Sequence, residues 1–203
     1  MISYRMKKIL IILVYSVSTI TLMGQISPNA TEFEPSPEHP YGRLNPEAPA
    51  AVADFGPMIG QCDCRSLSRN PDGTWADTVN MLWKFKYVLN GTAVQDEVWR
   101  EGNYASSLRQ YQADSAQWVV SYYSYPAVAY NPGVWHGSKQ SDGSIVLTKE
   151  QAAPNGMQGN SVLTFSDISE EGFNWKGEWI KDDGAFTYPF WLIWCQKKTK
   201  SKP

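Results

Sequence analysis

A chain of 203 residues with nine Trp, eleven Tyr and seven Phe has apolar surface enough for one domain with a substantial core or a lined cavity. Its formal charge of −2 becomes −5 once Arg5, Lys7 and Lys8 are set aside with the first 24 residues. A mildly acidic chain whose basic cluster, Lys197, Lys198, Lys200 and Lys202, sits at its very end excludes nucleic acid as the main partner.

Residues 1–24 read as a secretory signal. Arg5, Lys7 and Lys8 form a positive start, Ile9 to Val14 open an apolar run that reaches Leu22, and Met23-Gly24 is a plausible cleavage point. A membrane anchor is the competing reading, but Ser16, Ser18, Thr19 and Thr21 dilute the run. The expectation is export to a periplasm or the exterior, with no stable membrane span after cleavage. Residues 25–53 hold Pro28, Pro35, Pro37, Pro40, Pro46 and Pro49 and read as a disordered or extended linker. Within it, residues 50–55 have the composition for one helical turn that lids the domain. Residues 54–197 form the folded domain, and residues 198–203 a frayed, solubilising basic tail.

The domain turns on residues 81–100. Trp83, Phe85 and Tyr87 alternate with Lys84 and Lys86, which is the period of a half-buried strand. Asn90-Gly91 supplies the positive φ values of a type I′ turn, and residues 92–100 return as the partner strand. The same logic recurs along the chain. Asn70-Pro71-Asp72-Gly73, Ala113-Asp114-Ser115, Ser141-Asp142-Gly143, Ala153-Pro154-Asn155-Gly156, Ser169-Glu170-Glu171-Gly172 and Asp182-Asp183-Gly184 separate short alternating segments. About ten strands result, at the spacing of a barrel or sandwich. Short connections imply an up-and-down antiparallel meander, and closure is its usual way of removing edges. A closed barrel of this size has room for one small ligand.

The aromatic residues Trp83, Tyr87, Trp99, Trp118, Tyr122, Trp135, Trp175 and Trp179 are the candidate lining. On the return strand two inward sets compete. Ala93, Gln95, Glu97 and Trp99 are favoured over Val94, Asp96, Val98 and Arg100 because Trp99 needs burial. That choice puts Glu97 inside, where a carboxylate needs a partner, and Arg109 and Tyr111 are the candidates. The three would anchor a polar head group, or carry proton transfer if the barrel is an enzyme. His136 is the one histidine of the folded region, so no His-rich metal site is expected. No phosphate loop, dinucleotide fingerprint or hydrolase elbow occurs, and no cofactor is expected.

Several of these motifs together resemble the domain-of-unknown-function family 1579. They are Asp54-Phe55-Gly56-Pro57-Met58-Ile59-Gly60, Trp83 with Leu89-Asn90-Gly91-Thr92-Ala93, the segment from Tyr111 to Trp118, Trp135 with its downstream Asp-Gly, and Asp182-Asp183-Gly184. The resemblance covers residues 54–197 and implies a calycin-like barrel, similar in architecture to lipocalins and fatty-acid-binding proteins. One position departs from it: Cys62 stands where the family has Trp. The family brings a fold and little chemistry.

Cys62, Cys64 and Cys195 make an odd count for an oxidising compartment. Cys62 and Cys64 on one strand lie about 6.5–7 Å apart with parallel side chains, at the limit of disulfide geometry. In a closed barrel the first strand pairs with the last, so Cys195 is expected beside Cys62 or Cys64. Either a bridge to one of them or three reduced thiols fits. The expectation as a whole is an exported barrel that binds a small apolar or amphipathic ligand. An enzyme using Glu97, Arg109 and Tyr111, or an interaction module with a filled core, are the alternatives.

Overall fold

The computed structural model describes residues 30–128 and 132–198. The secretory signal of residues 1–24, residues 25–29 of the linker and residues 199–203 of the tail lie outside the described residues. No helix of the described residues is long and apolar enough to cross a membrane.

Ten antiparallel strands close into an up-and-down barrel, as the spacing of the turns predicts. They are β1 (Gly60–Ser68), β2 (Val79–Val88), β3 (Ala93–Arg100), β4 (Asn103–Gln112), β5 (Gln117–Tyr125), β6 (Gly133–Lys139), β7 (Ile145–Glu150), β8 (Gly159–Ser166), β9 (Gly172–Lys181) and β10 (Thr187–Lys197). Each pairs with its sequence neighbours, and β1 pairs with β10 to seal the ring. Closure leaves no strand edge free to recruit another chain. The alternating pattern from Trp75 to Leu89 predicts a longer second strand than forms, because Trp75 makes only an isolated bridge to Arg69. The Arg69 guanidinium lies 4.2 Å from the Trp75 ring centre and donates to Pro189 O at 2.7 Å, which ties this connection to β10 instead.

On β2, Met81, Trp83, Phe85 and Tyr87 are buried while Leu82, Lys84 and Lys86 are half-buried on the outer face. The ladder to β3 runs Trp83↔Val98, Phe85↔Asp96 and Tyr87↔Val94. Residues directly opposite on an antiparallel pair share a face. Val94, Asp96 and Val98 therefore point inward, and the favoured set containing Glu97 and Trp99 is corrected to the outer wall. Register overrides the preference of one Trp for burial. Trp99 satisfies that preference outside, where it is half-buried with Lys84 Nζ 4.8 Å from its ring centre.

The hairpin tip has a second role. Leu89, Asn90 and Gly91 all have positive φ, and the ladder closes at Val88↔Ala93. The Pro-rich segment rests on this tip. Phe33 N donates to Asn90 Oδ1 at 3.0 Å, Asn45 N to Gly91 O at 3.1 Å, and Tyr87 N to Tyr41 O at 2.8 Å. A Cβ on Gly91 would stand 2.3 Å from Arg43 O, so only glycine lets the segment come this close. The linker expectation is corrected here: the described part of residues 25–53 is packed and hydrogen-bonded. Its prolines stay compatible with that because they donate nothing and the bonds come from residues between them.

The segment ends in a 3-10 helix, Ala50–Met58. Val52, Phe55 and Met58, three residues apart, share one side of a helix with three residues per turn. All three are fully buried in one end of the barrel. Phe55 sits edge-on to Trp118 at 4.8 Å and to Phe165 at 5.7 Å between ring centres. Burial of each such side chain contributes about 1.5–3 kcal/mol. The expected helical turn at residues 50–55 thus forms, and it extends to Met58 as a plug rather than a loose lid.

At the seam Cys64 pairs directly with Cys195, with Cα atoms 4.1 Å apart, and the two form a disulfide. Cys62 is left as a fully buried free thiol, which burial pushes up to about 11. A thiolate is the reactive form, so Cys62 is expected to resist iodoacetamide in the folded protein at pH 8. Mass spectrometry should find no label when folded, one after unfolding, and three after unfolding with reductant. A labelled folded protein would contradict this burial. Lys197, the last residue of the expected folded domain, is also the last residue of β10, with Nζ 2.8 Å from Pro57 O.

Candidate functional site

The plug fills only half of the barrel. Beyond Phe85 and Phe165, towards the end bearing the β3–β4 and β9–β10 turns, lies a cavity of about 210 Å³. Its walls are Met81, Val98, Ala105, Val120, Leu147, Leu163 and Ile193 with the rings of Trp83, Tyr122, Trp135, Phe165, Trp175, Phe190 and Trp191. The filled-core alternative therefore describes the plugged half alone.

Period-two alternation places nearly all of these side chains. One does not follow from it. The register shifts between Pro189 and Trp191, and Phe190 is the extra residue of that bulge. It enters the cavity because β9 has no side chain at Gly177. A Cβ there would lie 2.8 Å from Phe190 Cε2 and 2.8 Å from Trp175 Cη2.

The polar centre of the cavity is Asp96. Its Oδ2 accepts from Arg109 Nη2 at 2.7 Å and from Trp83 Nε1 at 3.0 Å, while Oδ1 accepts from the backbone N–H of Ser107 at 2.6 Å. Asp96 and Arg109 are each 3 % exposed at the side chain. The guanidinium is surrounded by Phe55, Phe85 and Phe165, whose ring centres lie 5.1, 5.2 and 5.6 Å away. Arg109 Nε and Nη1 have no hydrogen-bond partner among the described residues. With three donors on two oxygens, Asp96 is an organised acceptor rather than a free base. Two further indoles find partners inside, Trp191 Nε1 to Ser66 Oγ at 2.7 Å and Trp135 Nε1 to Ser161 Oγ at 3.4 Å. Burial raises the Tyr122 hydroxyl above its ordinary value, so it stays protonated at neutral pH.

Of the residues expected to line a cavity, Trp83, Arg109, Tyr122, Trp135 and Trp175 do so. Tyr87, Tyr111 and Trp118 face inward but belong to the plugged half. Trp118 is fully buried and donates to Asp54 Oδ2 at 3.3 Å, and Tyr111 stands edge-on to it at 5.5 Å. Burial raises Tyr87 as well. Trp179 sits near the rim with its N–H on Gln151 O at 2.7 Å, outside the cavity lining. Glu97 and Trp99 are outside the barrel, so Glu97 is separated from Arg109 by the wall, and the expected Glu97–Arg109–Tyr111 group does not assemble. His136 is exposed on the outer face of β6. Asp96, Ser66, Ser107, Ser161, Phe190 and Trp191 were not among the expected site residues. Parity would have found Asp96 from Trp83, and Trp191 from Cys195, whereas nothing in the local pattern marks the bulge at Phe190.

Glu97 makes a different contribution. It bridges Lys84 Nζ at 2.5 Å and Lys86 Nζ at 2.7 Å. Partial burial works to raise its pKa, but hydrogen bonds and charge from the two lysines outweigh it, and the carboxyl lies below its ordinary value. A lowered carboxylate stabilises the fold above its unfolded pKa of about 4.3, and that contribution disappears as pH falls through the lowered value. Glu97→Gln is expected to cost less than about 1 kcal/mol at pH 7 and less still at pH 2.5. Urea titrations of both proteins across that range check it; an equal cost at both pH values would contradict the ion-pair origin.

No family model and no curated protein matches this chain. Among solved structures, the S-type phycobiliprotein lyase CPES from Guillardia theta is similar with a TM-score of 0.47 at 12 % identity, over 72 % of this chain and 92 % of that one. A redesigned beta barrel is similar with a TM-score of 0.30 at 10 % identity, over 75 % of this chain and 100 % of that one. At these values neither bears on what this chain binds.

Proposed function

We propose that this chain is an exported β-barrel that binds a small, partly apolar ligand in the aromatic-lined cavity. The observation that carries this reading is about 210 Å³ of space walled by rings, inside a barrel whose other half is packed by a dedicated plug. That volume is below the ~300–1,000 Å³ of drug-sized sites. The matching ligand body is one ring system or a short acyl chain. The Cys64–Cys195 bridge supports export, since disulfides persist in oxidising compartments. The resemblance to family 1579 stands as part of the same proposal and contributes architecture only.

A neutral aromatic probe, 2-naphthamide, tests the cavity. Trp83, Trp135, Trp175 and Trp191 surround the space, so binding is expected to quench Trp fluorescence in a saturable way. Ala105→Phe, which fills the space from β4, is expected to weaken binding at least ~10-fold, the loss of about 1.4 kcal/mol, while the far-UV β signal persists. No saturable quenching, or equal binding by the filled variant, would overturn the reading.

A further inference from the structure

Two cations stand at the cavity mouth outside any ion pair. Alternation on β3 turns Arg100 to the face of Asp96 and Val98, and alternation on β7 turns Lys149 inward with Ile145 and Leu147. The Arg100 guanidinium lies 5.6 Å from the centre of the Trp191 ring, and Lys149 Nζ lies 4.4 Å from the centre of the Trp135 ring. Both rings line the cavity. Neither cation takes part in any ion pair of the described residues.

Cations at the plugged end are treated otherwise. Lys139 reaches Asp54 at 3.7 Å, and Lys197 reaches Glu170 at 3.1 Å. Asp96 is the one inward-facing carboxylate of the strands, and Arg109 already answers it. The mouth thus keeps two positive charges in a chain whose overall balance is negative. The aromatic faces beneath them compensate partly, since a cation over Trp is held by the ring quadrupole. Burial depresses Lys149 below its ordinary value, the mark of an ammonium that has lost water without gaining an anion.

Resting on the cavity reading above, we infer that the ligand is an amphipathic anion. Its apolar body fills the space between the rings, and its acid group stays at the mouth, where Arg100 and Lys149 face it from β3 and β7. A carboxylate there replaces water with charge-assisted hydrogen bonds, which are shorter and stronger than neutral ones. The same field draws anions to the mouth from solution.

The test pairs 2-naphthoate with its neutral isostere 2-naphthamide, read by Trp quenching at low salt and at 0.5 M salt. The folded protein is expected to bind 2-naphthoate at least ~10-fold more tightly at low salt, with the preference shrinking at high salt. Arg100→Gln combined with Lys149→Gln is expected to weaken 2-naphthoate at least ~10-fold more than 2-naphthamide. Both positions lack ionic partners, so the double variant should fold, and far-UV circular dichroism checks that. Equal affinity for the two probes would overturn the inference while leaving the cavity reading intact. A preference that survives in the double variant would also overturn it and move the anion site to Arg109. Binding of neither probe would overturn both.

Discussion

Asp96→Ala is expected to remove about 3–5 kcal/mol of unfolding free energy, a large share of a domain's stability. The aspartate accepts three hydrogen bonds, and its loss strands all three donors at once. Arg109 is the costly one. Its guanidinium is left buried with no carboxylate beside it. The rings of Phe55, Phe85 and Phe165 around it offset part of this, at about 0.5–2 kcal/mol for a cation on an aromatic face. That is too little to replace a carboxylate at 2.7 Å. Asp96→Asn keeps one acceptor oxygen and should cost less than Asp96→Ala. Asp96→Leu combined with Arg109→Met should recover much of the loss, because a buried pair replaced by apolar groups is often nearly neutral. Recovery should stop short of complete, since the Trp83 and Ser107 N–H groups still lack an acceptor. Urea unfolding of wild type, Asp96→Leu, Arg109→Met and their double variant closes a double-mutant cycle and gives the coupling. A loss below about 1 kcal/mol for Asp96→Ala would mean that water reaches Arg109 and the pair is not a dry one.

Reducing the Cys64–Cys195 bridge is the second large effect. The two cysteines are separated by 131 residues, nearly the whole barrel. Loop-entropy reasoning for a loop of that length gives about 5 kcal/mol, and removal of native disulfides typically costs about 2–5 kcal/mol. With a urea m-value of about 2 kcal/mol/M, the midpoint is expected to fall by about 1–2.5 M on adding reductant. Cys64→Ser should reproduce the shift and then be insensitive to reductant. The β1–β10 ladder spans Cys62↔Lys197 to Ser68↔Trp191, and it should survive reduction in the folded state. An unchanged midpoint would assign the closing of the ring to that ladder alone.

Strand count, order and most strand ends follow from local sequence. Each needs only the period-two alternation and an Asx or Gly turn, as at Asn70-Pro71-Asp72-Gly73 or Asp182-Asp183-Gly184. The approach of Cys195 to the first strand follows as well, because a closed meander has one seam and its register then picks Cys64. Most of the expected aromatics are inward, Trp99 excepted. Their division between plug and cavity was not legible in the sequence, since Trp118 and Trp175 carry the same alternating signal and differ only in whether Phe55 reaches them.

Local alternation and turn residues set the antiparallel barrel and its turns, since these depend on residues within a few positions of one another. Tertiary structure decided the rest. Whether Asp96 or Glu97 faces in depended on the register with β2, which outweighed the burial of one Trp. Whether the Pro-rich segment packs depended on Asn90 and Gly91, some 45 to 57 residues away in the chain. Whether Phe190 enters the cavity depended on a bulge opposite the empty face of Gly177. Each of these is a long-range pairing whose free energy comes from contacts that no single stretch of chain contains.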